Sequence, residues 1–159
     1  LFIQDANTKR ELADIYRSNL GHPDIPTPDS APVDPERARR MAASGRHLVE
    51  HLQDAPVLLI PCIRGRVDNA TSAATATFWA SLMPAIWSFC LALRSRGLGT
   101  CWTTLHLLGD GERRAAEVVG MPYPQYSQAG LFPIAYTRGT DFRPAKRLAV
   151  EQITHFDHW

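Results

Sequence analysis

The sequence predicts one domain of helices and short strands gathered around a single long helix, and three observations carry that expectation. Phe78, Trp79, Leu82, Met83, Ile86, Trp87, Cys90, Leu91 and Leu93 recur at helical spacings yet leave almost no polar face, so the helix they form should be sheathed by protein on most sides. The run APVLLIPC at 55–62 is continuously apolar and of strand length, the pattern of a strand covered on both faces. AGLFPIAYT at 129–137 reads as a further strand, in which Pro133 predicts an edge or a bulge. A chain of 159 residues, 45% apolar and 21% charged, has the size and balance of one soluble globule.

The elements follow in order. Residues 2–4 form a short strand, and Asp5, Asn7 and Thr8 offer capping oxygens to a helix over 9–18 with Leu12, Ile15 and Tyr16 on its apolar stripe. Residues 19–35 carry five prolines and few apolar side chains; so long an irregular segment is either a lid over a ligand site or a solvated connector. Pro35 and Glu36 open a helix through Gln53, with Met41, Leu48, Val49 and Leu52 inward and Arg37, Arg39, Arg40 and Arg46 in solvent. After the strand at 55–62, the small polar residues 64–77 read as a loop; Asn69-Ala70-Thr71 within it is a formal glycosylation sequon without a secretory leader to give it meaning.

The central helix ends with Arg94 and Arg96, whose charges complement the helix dipole, and Gly97 as the left-handed cap. Its apolar part, 78–93, is shorter than the ~20 residues a bilayer demands and is interrupted by Ser81, Pro84 and Ser88, so a membrane span is rejected. Thr100, Cys101, Trp102, Thr103 and Thr104 then predict a strand. Gly97 and Gly99 stand between helix and strand, the reverse of the dinucleotide fingerprint. Asp110 caps a helix through Val119, ended by Gly120. Residues 138–159 are too polar to fold alone.

A net charge of +1 gives no general attraction to nucleic acid or anionic lipid. Three cysteines in apolar settings, without CxxC spacing, predict buried thiols in a reducing, cytoplasmic setting rather than a disulfide scaffold. HLVEH at 47–51 matches H-x-x-E-H, whose histidines share a helix face and reach one metal. A zinc peptidase built on His47, Glu50 and His51 would need Glu112 or Glu117 as its third ligand, and the plainer reading is a histidine pair on a solvated face. His155, Asp157 and His158 are a weaker metal candidate for want of further ligands.

The run PAIWSFCLALRSRGLGTCWTTLHL at 84–107, AGLFPIAYTRGTDFRPAKR at 129–147 and the tail HFDHW closely resemble the nitroreductase family of flavin enzymes, with the look of an actinobacterial branch. The resemblance covers nearly the whole chain. It implies an α+β fold, a central, mostly antiparallel sheet flanked by helices around a long buried central helix. It further implies an intertwined homodimer with FMN at its interface and residues 138–159 wrapped on the partner subunit. Family members usually carry a further segment before the position of Leu1, with an arginine-rich helix start that grips FMN.

The resemblance also assigns roles. Trp102, Thr103, Thr104 and Leu105 match the family segment that runs beside the flavin ring and donates main-chain N–H bonds; many members have an acidic residue and glycine where this chain has Thr104 and Leu105, which touches electrostatic tuning more than backbone donation. Arg143, Lys146 and Arg147, clustered after a strand, fall where the family binds the phosphate, with Arg147 first; otherwise they are a basic surface turn. Pro84 and Ser81 are minor candidates. No side-chain nucleophile is implied, because the cofactor carries the chemistry. The implied activity is transfer of electrons from NAD(P)H through FMN to a nitro, quinone or related acceptor, and the alternative of another class is a non-catalytic flavin-storing protein.

Overall fold

The computed structural model describes residues 1–25, 35–139, 141–142 and 147–159. Strand β1 (Phe2–Ile3) leads into α1 (Ala6–Ser18). Asp5 is the N-cap, its Oδ1 accepting from the N–H groups of Asn7 at 3.1 Å and Thr8 at 2.8 Å, so α1 starts earlier than Lys9. Helix α2 (Pro35–His51) follows, then β2 (Val57–Leu59), β3 (Cys62–Arg64), α3 (Ser72–Arg94), β4 (Leu98–Thr100), α4 (Gly111–Val118), β5 (Tyr126–Gln128) and β6 (Phe132–Tyr136). One sheet runs β1-β2-β6-β4 and a second pairs β3 with β5, every pairing antiparallel. This is the α+β architecture expected.

The strand expected at 55–62 is two strands in two sheets. Pro61 has no N–H to give a ladder, and the chain changes sheets there: Leu59 pairs with Phe132 in one, Cys62 with Gln128 in the other. Pro133 does not mark an edge strand, for β6 lies between β2 and β4. The ladder to β4 lapses beside it instead: Thr100 pairs with Ile134 and Thr103 bridges Leu131 in the same register, with Cys101 and Trp102 unpaired between them. The strand expected at 100–104 is therefore Leu98–Thr100 and a single bridge.

Alternation along β2 and β6 builds two cores. Leu58 and Leu131 face a cluster with Ile3, Leu12, Ile15, Leu52 and Ala115, whereas Leu59, Phe132 and Ile134 meet Ile86 and Leu93 of α3. Thus α1 and α4 cover one face of the sheet and α3 the other. Fully burying a Leu or Phe of this kind contributes about 1.5–3 kcal/mol.

Helix α3 departs from expectation twice. It begins at Ser72 rather than Phe78, because Thr71 Oγ1 accepts from the N–H of Ala74 at 3.3 Å and the alanine-rich residues after it favour helix. Its 23 residues are long and apolar enough to cross a membrane, so length does not exclude a span as 78–93 alone did. Nor is it sheathed within this chain: only Ile86 and Leu93 are buried, while Trp87 is 63% and Leu91 54% exposed. One face lies on the sheet; the other presents aromatic and aliphatic side chains outward. Gly97, at φ +73°, is the left-handed residue that turns the chain into β4.

Three smaller expectations are corrected. Met41 of α2 is exposed rather than inward, Leu48 and Val49 are half-buried, and only Leu52 just beyond the helix is buried. Asp110 makes no side-chain cap; its carboxylate turns to Arg113 at 3.1 Å and Arg114 at 3.7 Å. Cys101 is exposed, not buried. Within the tail, Phe142 receives the Arg94 guanidinium at 4.2 Å and His155 stacks on Trp159 at 4.4 Å between centroids, but every described residue from 147 onward is exposed.

Candidate functional site

The unpaired stretch opposite Pro133 is where the surface opens. Trp102 lies over Phe132 with ring centroids 5.2 Å apart, and its Nε1–H donates to Ala129 O at 2.8 Å. The ring covers Gly130, whose φ of +148° and lack of Cβ make room for it; a Cβ there would stand 2.4 Å from Trp102 Nε1. Thr103 is held on both sides, its backbone exchanging hydrogen bonds with Leu131 at 3.1 and 2.8 Å and its Oγ1 sharing one with the Tyr16 hydroxyl at 2.7 Å. Asn19, the C-cap of α1, donates Nδ2–H to Leu105 O at 2.9 Å and Leu108 O at 3.2 Å. Residues 102–105 are thereby pinned between the sheet and α1.

Two contiguous grooves flank this segment. One, of about 380 Å³, lies between the end of α1 and α2, with Tyr16, Val49, Trp102, Thr103, Thr104 and Leu105 in its walls. The other, of about 470 Å³, lies on the far side of Trp102, under Met41, Ser44, His47 and Leu48 and beside Cys101. Both share Gly45, Trp102 and Thr103. Among the described residues the linings carry no carboxylate, lysine or arginine, and His47 is their one histidine. Although Cys101 is exposed by surface area, the protein packed around its sulfur partly desolvates the thiol and raises it above its usual range, which disfavours a thiolate nucleophile. Burial likewise raises the Tyr16 phenol, against the pull of its bond to Thr103. Neither Thr104 nor Leu105 has a hydrogen-bond acceptor for its backbone N–H among the described residues.

Beneath the wall lies a buried polar layer. His106 is fully buried, and neither ring nitrogen has a hydrogen-bond partner among the described residues; Gln128 Oε1 is also unpartnered. Burial lowers the His106 pKa to about 4, with Gln128 pulling weakly the other way and short of a hydrogen bond of ordinary geometry. Gln128 itself is fixed by Glu112, which accepts from its backbone N–H at 2.9 Å and its Nε2–H at 2.8 Å. Glu112 in turn pairs with Arg66 at 2.8 Å.

Sequence-predicted candidates thus divide. Trp102, Thr103, Thr104 and Leu105 are together in a groove wall. Arg143 and Lys146 lie outside the described residues, as do 26–34 of the expected lid. Arg147 is exposed in the tail and lines neither groove. Ser81 turns back on its own helix, Oγ–H to Phe78 O at 2.7 Å, and neither it nor Pro84 reaches the grooves. The zinc arrangement has no third ligand: Glu112 is held by Arg66 and Glu117 by Arg113, His51 Nδ1 meets Asp54 at 2.8 Å, and no cluster of three such ligands occurs among the described residues. What sequence reasoning missed is the opposite wall. Tyr16 was legible only as core, and nothing in the sequence reading marked Gly45.

Known proteins share this fold. The model of the nitroreductase family matches residues 2–136. Among solved structures, iodotyrosine deiodinase bound to FMN and 3-iodo-L-tyrosine superposes with a TM-score of 0.65 at 16% identity, over 100% of this chain and 75% of that one. A BluB-like flavoprotein from Clostridium difficile 630 gives 0.60 at 19% identity, over 99% and 78%. The FMN and NADPH-dependent nitroreductase NfnB from a Sphigopyxis strain gives 0.57 at 15%, over 100% and 79%. A search of curated protein sequences returns no match. With the family model spanning most of its length and the fold shared throughout, this chain belongs to the nitroreductase family.

Proposed function

We propose that the protein is an FMN-dependent oxidoreductase that takes electrons from NAD(P)H and passes them to a nitro, quinone or related acceptor. The observation that carries this reading is the groove beside residues 102–105: the segment singled out by family resemblance walls a depression with no charged side chain among its described lining residues. A flat, neutral isoalloxazine suits such a lining, since burying it there strands no charge. Its N5 and O4 edge needs hydrogen-bond donors, and the unpartnered N–H groups of Thr104 and Leu105 are of the right kind. Among its described residues the groove lining holds no lysine or arginine for a phosphate, so Arg147, with Arg143 and Lys146, remains the proposed grip on that end.

When bound, FMN supplies hydride and electron transfer. The chain's own residues position and shield. Trp102 is anchored through Ala129 and Thr103 through Tyr16, so the wall is preorganised rather than assembled on binding, and apolar neighbours limit water at the reacting face. The proposed assembly is a homodimer, supported by the apolar outer face of α3 and by Phe142, Leu148, Val150, Ile153, Phe156 and Trp159 in the tail, all exposed in one chain. Covering them with a second copy would bury what is otherwise an unusual apolar surface.

Titration with FMN, followed by steady-state oxidation of NADPH or NADH with a nitroaromatic or a quinone, tests the reading. A yellow protein that turns over supports it. Flavin bound without turnover makes the protein a flavin carrier, and a protein left colourless by FMN overturns the flavin assignment.

A further inference from the structure

Helix α2 carries a pair of imidazoles that the groove chemistry does not use. His47 and His51 are four positions apart at the end of the helix, so both leave the same side of its last turn. Their ring centroids are 4.5 Å apart, and the ring planes are tilted by 40°. Asp54 Oδ2 lies 2.8 Å from His51 Nδ1. A carboxylate only accepts, so in the neutral ring Nδ1 carries the proton and Nε2 keeps a lone pair. A carboxylate so placed fixes the orientation of a ligating imidazole and raises its basicity. Neither nitrogen of His47 has a hydrogen-bond partner among the described residues, and both histidines are exposed. An ion in solution can therefore reach both rings.

We propose that His47 and His51, with Asp54 orienting the second ring, form a two-histidine site for a tetragonal divalent ion, copper(II) or nickel(II), that clips the last turn of α2. An imidazole centroid stands about 3.2 Å from an ion that its nitrogen ligates at about 2.0–2.1 Å, so two such rings lie about 4.5 Å apart at a right angle and about 5.2 Å apart at the tetrahedral angle. The observed 4.5 Å is the right-angled value, the one that copper(II) and nickel(II) adopt with nitrogen ligands. With two protein ligands the remaining positions are left to water, which separates this site from the peptidase arrangement and its missing third ligand. The clip acts on a helix with little else to hold it. No residue of α2 is buried, and its hold on the core is the half-buried pair Leu48 and Val49. Ligands one turn apart converge only when that turn is helical, so the ion binds the folded form and stabilises it. His47 also lines the groove beside Cys101 and Trp102, so the clip steadies one wall of that groove.

The test uses the full chain without an affinity tag, as wild type, His47→Gln, His51→Gln, Asp54→Asn and a control carrying His155→Gln with His158→Gln, since the tail has histidines of its own. All five side chains are exposed, and circular dichroism without metal checks that each variant folds. Nickel(II) and zinc(II) binding are measured by calorimetry, and the copper(II) complex by electron paramagnetic resonance. Wild type is expected to bind one nickel(II) saturably and more tightly than zinc(II), to give an axial copper(II) spectrum with two nitrogen ligands, and to melt at a higher temperature with nickel(II) present. His47→Gln and His51→Gln should each lose at least tenfold in nickel(II) affinity, together with that rise in melting temperature. Asp54→Asn should lose about tenfold, and the tail control should bind as wild type does. No saturable binding, tighter zinc(II) than nickel(II), or unchanged affinity in any of the three α2-end variants would overturn the proposal. So would a loss confined to the tail control, which would mean adventitious binding there. None of these outcomes depends on whether the protein binds a flavin.

Discussion

Gly130→Ala is the substitution that most directly tests how the groove wall is built. The new methyl would lie 2.4 Å from Trp102 Nε1, 2.7 Å from its Cδ1 and 3.1 Å from Thr103 O. Because the indole is 41% exposed, it escapes by swinging outward, and the cost is what it leaves. Losing the bond to Ala129 O costs about 1 kcal/mol, and losing the contact with Phe132 about 0.5–1.5 kcal/mol. An L-residue at φ +148° adds about 1–3 kcal/mol of backbone strain. The sum is about 2.5–5.5 kcal/mol, measured as the shift in urea midpoint at constant slope. In a Trp102→Ala background the clash with the indole is gone, and the same glycine substitution should cost only the strain and the tight approach to Thr103 O. A Gly130→Ala protein within 0.5 kcal/mol of wild type, or an identical cost in both backgrounds, would refute this account of the wall.

Other consequences follow from the polar layer beneath. His106 has a pKa depressed to about 4 when folded against about 6.5 when unfolded. The neutral ring is therefore the native form: its contribution is complete above pH 6.5 and drains away as pH falls toward 4, by up to about 3 kcal/mol. Chemical denaturation across that window should show the loss, and a folded His106→Leu variant should flatten it. Arg66→Ala removes bonds to Asp68, to Glu112 and to the carbonyls of Tyr123 and Tyr126. Stranding a half-buried Glu112 should cost about 2–3 kcal/mol, with Glu112→Gln in the same background recovering part of it in a double-mutant cycle. Asn19→Ala frees Leu105 O and Leu108 O and should cost about 1–3 kcal/mol by denaturant titration, while weakening ligand binding at the groove more than Arg66→Ala does.

Fold class was readable because both kinds of periodicity were present: the stripe of α1 and the apolar runs of β2 and β6 are local signals. What escaped was set by tertiary contact. Nothing near Pro61 says that the residues on either side join different sheets; that is fixed by Phe132 and Gln128, some seventy positions downstream. The true start of α3 hid among Ser, Ala and Thr residues with no apolar rhythm. The helix's exposure was invisible because composition reports that a surface must be covered, not which chain covers it. At the site, family likeness pointed to residues 102–105 but not to Tyr16 or Gly45, which become neighbours of that segment only once α1 and α2 fold across it.

The lapse in the ladder beside Pro133 has a dynamic consequence. Thr100 and Thr103 are clamped to β6 in one register, so the intervening dipeptide can loosen without letting the strand slip. Cys101 and Trp102 form a short backbone link tethered at both ends, with the Trp102 indole still held by Ala129 O. Their amides should exchange with heavy water well ahead of that of Thr103, which donates to Leu131 O, while the alignment of this wall with the helices across the groove is preserved.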